Sequence, residues 1–113
     1  MSRHFALVPA AGSGARFGAE TPKQYLPLAG RPLIYHTLAA LCRCARIEAV
    51  WVVLSPEDEW WSDGDWSDLG DKLCVVRCGG ATRAESVTNG LGELAGSLSS
   101  EDWVLVHDAA RPC

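Results

Sequence analysis

The stretch FALVPAAGSGARFG, Phe5 to Gly18, followed shortly by Pro22 and Lys23, decides how the rest of the chain is read. Phe5 to Val8 is a short apolar run of strand length, and it passes directly into small residues and glycines. Small residues let a backbone approach a ligand closely, and glycine permits turns that aim several N–H groups at one point. Such a loop binds phosphate. Arg16 adds a planar guanidinium suited to phosphate oxygens, and Lys23 adds a compact charge seven residues later. Two familiar phosphate loops are excluded by spacing. The string G-x-x-x-x-G-K-[ST] does not occur, and Gly12, Gly14 and Gly18 carry one residue too many for G-x-G-x-x-G.

Outward from this loop, three further apolar runs read as strands: Ala49–Leu54, Leu73–Val76 and Trp103–Val106. Their nearly continuous apolar character predicts burial on both faces, as in a parallel sheet. Helical periodicity fills the gaps. Pro32 can open a helix, after which Ile34, Leu38, Leu41 and Ala45 share a face. A second helix is predicted from Arg83 to Leu94, with Ala84, Val87, Leu91 and Leu94 on one side. Gly90 and Gly92 weaken it by ~1 kcal/mol each relative to Ala. This alternation predicts an α/β fold with right-handed crossovers.

The chain has 113 residues, 48% of them hydrophobic, enough for one small core. Net charge is -4, yet seven of the fourteen acids fall between Glu57 and Asp71, where no Lys or Arg occurs. The remainder carries ten bases against seven acids. Those bases are scattered except where Arg16, Lys23 and Arg31 flank the glycine loop, which suits a small polyanion and argues against nucleic acid. Trp60, Trp61 and Trp66 within the acidic segment are expected to cap the sheet edge on a surface helix and turn; an acidic patch repels phosphates. The five cysteines fit neither a disulfide framework nor a zinc site and read as thiols of a reducing cytoplasm. No run has the length of a membrane span, and no signal peptide is visible, so a cytoplasmic protein is expected.

Two more polar clusters follow strands. In Gly79-Gly80-Ala81-Thr82-Arg83-Ala84-Glu85-Ser86, a glycine bend leads into a helix with Thr82 as N-cap. The bend can lie flat against a base whose edge Ser86 would bond; an ordinary capped turn accounts for it equally well. His107-Asp108-Ala109-Ala110-Arg111-Pro112 follows the last strand. An aspartate there can face Mg²⁺ near phosphates, or cap a helix.

Together PAAGSGARFG, PKQYLPLAGRPLIYHTL, GGATRAESV and VLVHDAARP resemble the 2-C-methyl-D-erythritol 4-phosphate cytidylyltransferase family. The resemblance spans nearly the whole chain apart from the acidic segment. It implies a Rossmann-like nucleotidyltransferase fold, a three-layer α/β/α sandwich with a mostly parallel sheet, of which residues 1–113 are the nucleotide-binding amino-terminal part, truncated. It implies transfer of CMP from CTP to 2-C-methyl-D-erythritol 4-phosphate with Mg²⁺, in a full-length homodimer. Arg16 and Lys23 would be catalytic. Pro9, Ala10, Ala11, Gly12, Ser13, Gly14, Gly80, Ala81, Ser86 and Asp108 would bind the nucleotide, Asp108 also facing the metal. Ala109 and Arg111 would lie near the acceptor. A ribitol-phosphate cytidylyltransferase shares much of this pattern. A molybdopterin nucleotidyltransferase would open L-A-G-G rather than P-A-A-G. A non-catalytic nucleotide-binding module would not need both Arg16 and Lys23. A chain of this length is expected to hold part of the nucleotide site, lack the acceptor site and show no turnover alone.

Overall fold

Strand β1, His4–Pro9, is the centre around which everything else assembles. The computed structural model describes residues 2–11 and 22–109. Phe5, Ala6, Leu7 and Val8 are all buried, so side chains on both faces of β1 need cover. On one side β1 pairs in parallel with β4, Ile47–Val53, in the register Phe5↔Ala49 to Pro9↔Val53. On the other it pairs in parallel with β6, Trp103–Val106, from His4↔Trp103 to Leu7↔Val106. Strand β5, Leu73–Val76, adds to β4, giving the order β5-β4-β1-β6.

The chain moves from β1 to β4 and β5 in one direction, then returns past β1 to β6. With right-handed crossovers that reversal places the two connecting helices on opposite faces. The packing agrees. Helix α1, Leu33–Arg43, sends Ile34, Leu38 and Leu41 against Ala6, Val8, Val50 and Val52. Helix α2, Arg83–Leu94, sets Leu94 and Val87 against Phe5, Leu7 and Val53. The result is the predicted three-layer α/β/α arrangement. Among the described residues no helix is long and apolar enough to cross a membrane.

Several expectations change. Helix α1 ends at Arg43, where the Cys44 N–H bonds to the Leu41 carbonyl, so Ala45 lies beyond the helix and is exposed. The buried stripe of α2 is Ser86, Gly90 and Leu94, with Ala84 and Leu91 turned outward. Gly90 is a close-packing position. A Cβ there would stand 2.7 Å from Val53 Cγ2 and 2.8 Å from Leu7 Cδ1. Burial on both faces holds for β1 but not at the sheet edges, where Trp103 is 65%, Leu105 52% and Val75 40% exposed. No described helix covers β6 on the α1 side.

Before α1 lies a small antiparallel hairpin, β2 (Pro27–Leu28) with β3 (Arg31–Pro32), which periodicity did not show. Its two-residue loop places Ala29 at φ 51° and Gly30 at φ 83°, the paired left-handed conformation that tight hairpins require. His36 Nε2 donates to the Leu28 carbonyl at 2.6 Å and fastens the hairpin to α1. The acidic segment forms two short turns, Trp61–Asp63 and Ser67–Leu69. Trp61 and Trp66 stack 3.9 Å apart and join Leu69 and Leu73, the latter on the edge strand β5, in the core on the α1 side. Tyr35 donates to Asp68 at 2.8 Å, tying the segment to α1.

Candidate functional site

Open α/β sheets bind ligands at the carboxyl ends of their strands. Here the ends of β1, β4 and β5 are fastened together by backbone bonds. The Ala10 N–H reaches Val53 O at 2.8 Å, Leu54 reaches Val76 O at 2.8 Å, and Gly79 reaches Leu54 O at 2.9 Å. Above them opens a cleft of about 760 Å³. Among the described residues it is lined by Ala10 and Ala11, by Pro22 and Gln24, by Gly79, Gly80 and Ala81, and by residues 55–60. Gly79 is dictated by this assembly, because a Cβ on it would sit 2.2 Å from the Cβ of Ala11. The loop after β1 and the bend after β5 therefore touch backbone to side chain, and only glycine leaves room.

The bend is held from below by helix α2. Thr82 Oγ1 accepts the Glu85 N–H at 3.1 Å, so Thr82 is the N-cap that its sequence position predicted. Ser86 is 2% exposed, and its Oγ accepts the Gly80 N–H at 3.1 Å. Ser86 thus shapes the bend that faces the cleft. Asn89 adds a bond from Nδ2 to the Cys78 carbonyl at 2.8 Å.

The segment after β6 is also pinned. The His107 N–H bonds to Leu7 O at 3.0 Å, and Thr37 Oγ1, fully buried on α1, donates to the Ala109 carbonyl at 3.0 Å. Ala109 is itself buried. Asp108 Oδ1 accepts from Arg83 Nε at 2.9 Å, joining the β6 end to the first residue of α2. Both side chains are more than a third exposed, so this pair contributes under about 1 kcal/mol and serves mainly to place the carboxylate. Among the described residues no group of three or more His, Cys, Asp or Glu side chains is placed to hold a metal.

Lys23 opens a single 3₁₀ turn, Lys23–Tyr25, beside the cleft, and its side chain is exposed. Gln24 Nε2 donates to the Ala10 carbonyl at 2.9 Å, and Tyr25 OH donates to Asp58 Oδ2 at 2.7 Å. Burial, then the Asp58 carboxylate, hold the Tyr25 phenol far above its ordinary pKa, so it remains a neutral donor.

The structure thus brings Pro9, Ala10, Ala11 and Lys23 to the same sheet end as Gly80, Ala81, Ser86, Asp108 and Ala109. Gly12, Ser13, Gly14, Arg16 and Arg111 lie outside the described residues. Sequence reasoning missed Gln24, Thr37 and Asp58 as parts of the scaffold. A polar Thr37 inside the apolar stripe of α1 was the one visible signal, since a buried hydroxyl needs a partner.

A parallel sheet in this order, with a glycine-bounded cleft over its strand ends, defines a Rossmann-like α/β fold. A structure of CMP:2-keto-3-deoxy-manno-octonic acid synthetase superposes with TM-score 0.68 at 19% identity, a likeness of fold alone. The family of 2-C-methyl-D-erythritol 4-phosphate cytidylyltransferases matches residues 4–113, and the chain belongs to that family. The enzyme of that name from Dechloromonas aromatica (strain RCB) is 70% identical over 113 residues, which are 100% of this chain and 50% of that one. Its namesake from Azoarcus sp. (strain BH72) is 62% identical over 98% of this chain and 47% of its own. A crystal structure of 4-diphosphocytidyl-2C-methyl-D-erythritol synthase superposes with TM-score 0.82 at 35% identity, covering 100% of this chain and 49% of that one. The chain spans about half the length of the curated relatives it matches.

Proposed function

We propose that this chain is the nucleotide-binding portion of an enzyme that transfers CMP from CTP to 2-C-methyl-D-erythritol 4-phosphate. The observation that carries the reading is the cleft over β1, β4 and β5, bounded by Ala10–Ala11, the Lys23 turn and the Gly79–Ala81 bend, in a member of this family. In this reaction a phosphate oxygen of the acceptor attacks the α-phosphorus of CTP, and the bond to the departing pyrophosphate breaks. The acceptor is its own nucleophile, so the protein contributes position and charge rather than a covalent intermediate.

In this reading the Ala10–Ala11 backbone and the Gly80–Ala81 bend hold ribose and base, with Ser86 fixing the bend. Lys23 and Arg16 stabilise the charge that builds on the α-phosphoryl group, each worth about 3 kcal/mol, or two orders of magnitude in rate. Mg²⁺ bound to the triphosphate would neutralise charge on it. One carboxylate, Asp108, fits that role, because Mg²⁺ on nucleotides takes most of its ligands from phosphate and water. Ala109 and Arg111 are assigned to the acceptor side of the reaction. The full-length protein is read as a cytoplasmic homodimer with no nucleic-acid or membrane partner, and the 113 residues alone as inactive.

The test is turnover and CTP affinity in a chain of the relatives' full length carrying Arg16→Ala or Lys23→Ala. Turnover is expected to fall about 100-fold for each, with the dissociation constant for CTP from calorimetry changing much less. Unchanged turnover in both variants would overturn the reading. Ribitol 5-phosphate offered in place of methylerythritol phosphate checks the acceptor: equal or higher kcat/KM with ribitol phosphate would transfer the assignment to that substrate.

A further inference from the structure

The acidic segment after β4 has no part in the chemistry just described, yet residues 55–60 wall the cleft. We propose that Asp58 in this segment is a positioning residue for Lys23, acting through Tyr25; this rests on the assignment of Lys23 to the reacting phosphate.

Lys23, Gln24 and Tyr25 form one 3₁₀ turn closed by two backbone bonds, Tyr25 N–H to Pro22 O at 2.9 Å and Leu26 N–H to Lys23 O at 3.1 Å. So short a turn has no cooperative helix behind it and takes its position from side-chain anchors. There are two. Gln24 holds one side of the turn to the end of β1 through the Ala10 carbonyl, and Tyr25 holds the other to Asp58. Both anchor residues are 7% exposed, whereas Lys23, next to Pro22 and Gln24 of the cleft wall, is exposed.

Asp58 is itself fixed on three sides. Its Oδ1 accepts the N–H groups of Trp60 at 2.8 Å and Trp61 at 2.9 Å, which leaves Oδ2 directed at the phenol. Arg77, just past β5, donates to the Asp58 carbonyl at 2.8 Å. The Trp60 ring lies along the Tyr25 ring, with centroids 6.2 Å apart at 25°. The sheet end at β5 is thereby linked rigidly to the Lys23 turn through Arg77, Asp58 and Tyr25. An ammonium that must meet charge developing on a phosphoryl group needs this kind of support, since a displacement near 1 Å can cost about 100-fold in rate.

The test uses the full-length enzyme with Tyr25→Phe, Asp58→Ala and Asp58→Asn, each alone and combined with Lys23→Ala. Tyr25→Phe and Asp58→Ala are expected to lower kcat about tenfold, with the CTP dissociation constant from calorimetry within twofold of the parent. Asp58→Asn should lose less than Asp58→Ala, because its amide can still cap the turn and donate to the phenol oxygen. With Lys23 already removed, Tyr25→Phe and Asp58→Ala should each cost under twofold. Full tenfold losses in the Lys23→Ala background, or parental kcat in Tyr25→Phe, would overturn the proposal. Parental kcat in Lys23→Ala itself is a separate result that would overturn the assignment of Lys23.

Discussion

Helix α2 contains two glycines two residues apart, and they should respond to the same substitution with opposite sign. By helix propensity alone, Gly→Ala at either position stabilises by ~1 kcal/mol, because alanine loses less backbone freedom on folding. Gly92 is exposed, and a Cβ on it meets nothing within 4 Å, so Gly92→Ala should show that gain. At Gly90 the new methyl would stand 2.7 Å from Val53 Cγ2 and 2.8 Å from Leu7 Cδ1. Real Cβ contacts do not come so close, and both neighbours are fully buried in the central strands. Both sit in the packed core between α2 and the sheet, so making room means shifting neighbouring side chains as well. Overpacking of this kind costs about 1–3 kcal/mol, so Gly90→Ala should range from neutral to about 2 kcal/mol less stable than the parent. Urea denaturation of parent and both variants reads the difference directly. With a slope of about 2 kcal/mol per molar urea, the Gly92 variant should shift its midpoint up by roughly 0.5 M. The Gly90 variant should show no gain or a downward shift. If both midpoints rise equally, the close packing of α2 on β1 and β4 described above is wrong.

Thr37→Val keeps the shape of the side chain but removes the donor to the Ala109 carbonyl, leaving a buried acceptor without that bond. A loss of about 1–3 kcal/mol is expected in the same denaturation assay, together with weaker CTP binding by calorimetry; parental values for both would show that the loop after β6 does not depend on α1. Asp102 receives the Arg3 guanidinium at 2.8 Å and the N–H groups of Ser99 and Arg3, which hold its carboxyl well below the ordinary aspartate value. A depressed folded-state pKa gives stability that is present above the unfolded value of about 3.9 and lost as pH falls below it. Asp102→Asn should therefore lower stability at pH 7 and flatten the decline in acid; an unchanged acid profile would refute that linkage.

The four strands of the parallel sheet and the two α-helices were legible from apolar runs and helical spacing, though the β2–β3 hairpin was not: Phe5–Val8 is continuous apolar, and Ile34, Leu38 and Leu41 recur at helical spacing. The two clusters after β5 and β6 stood out because glycine or aspartate follows closely on an apolar run of strand length. Other features were not. The exposure of Trp103 and Leu105 depends on strand order, since an apolar run reads the same in the middle of a sheet as at its edge. The stripe of α2 was misplaced because Ser86 and Gly90 are not apolar residues, yet they face the sheet, where close approach favours small side chains over large ones.

By itself, then, the sequence determined that this is an α/β chain with a glycine-rich loop after its first strand, and its motifs pointed to cytidylyl transfer. Local propensity and side-chain chemistry suffice for that much. Only the tertiary structure decided that Asp58, 35 positions from Lys23 in the chain, stands within hydrogen-bond reach of Tyr25, and that Thr37 and Ala109 are partners across the fold. Those pairings arise because β4 and β6 both add to β1, which brings distant strand ends to one place. No local pattern encodes which strand end becomes the neighbour of which.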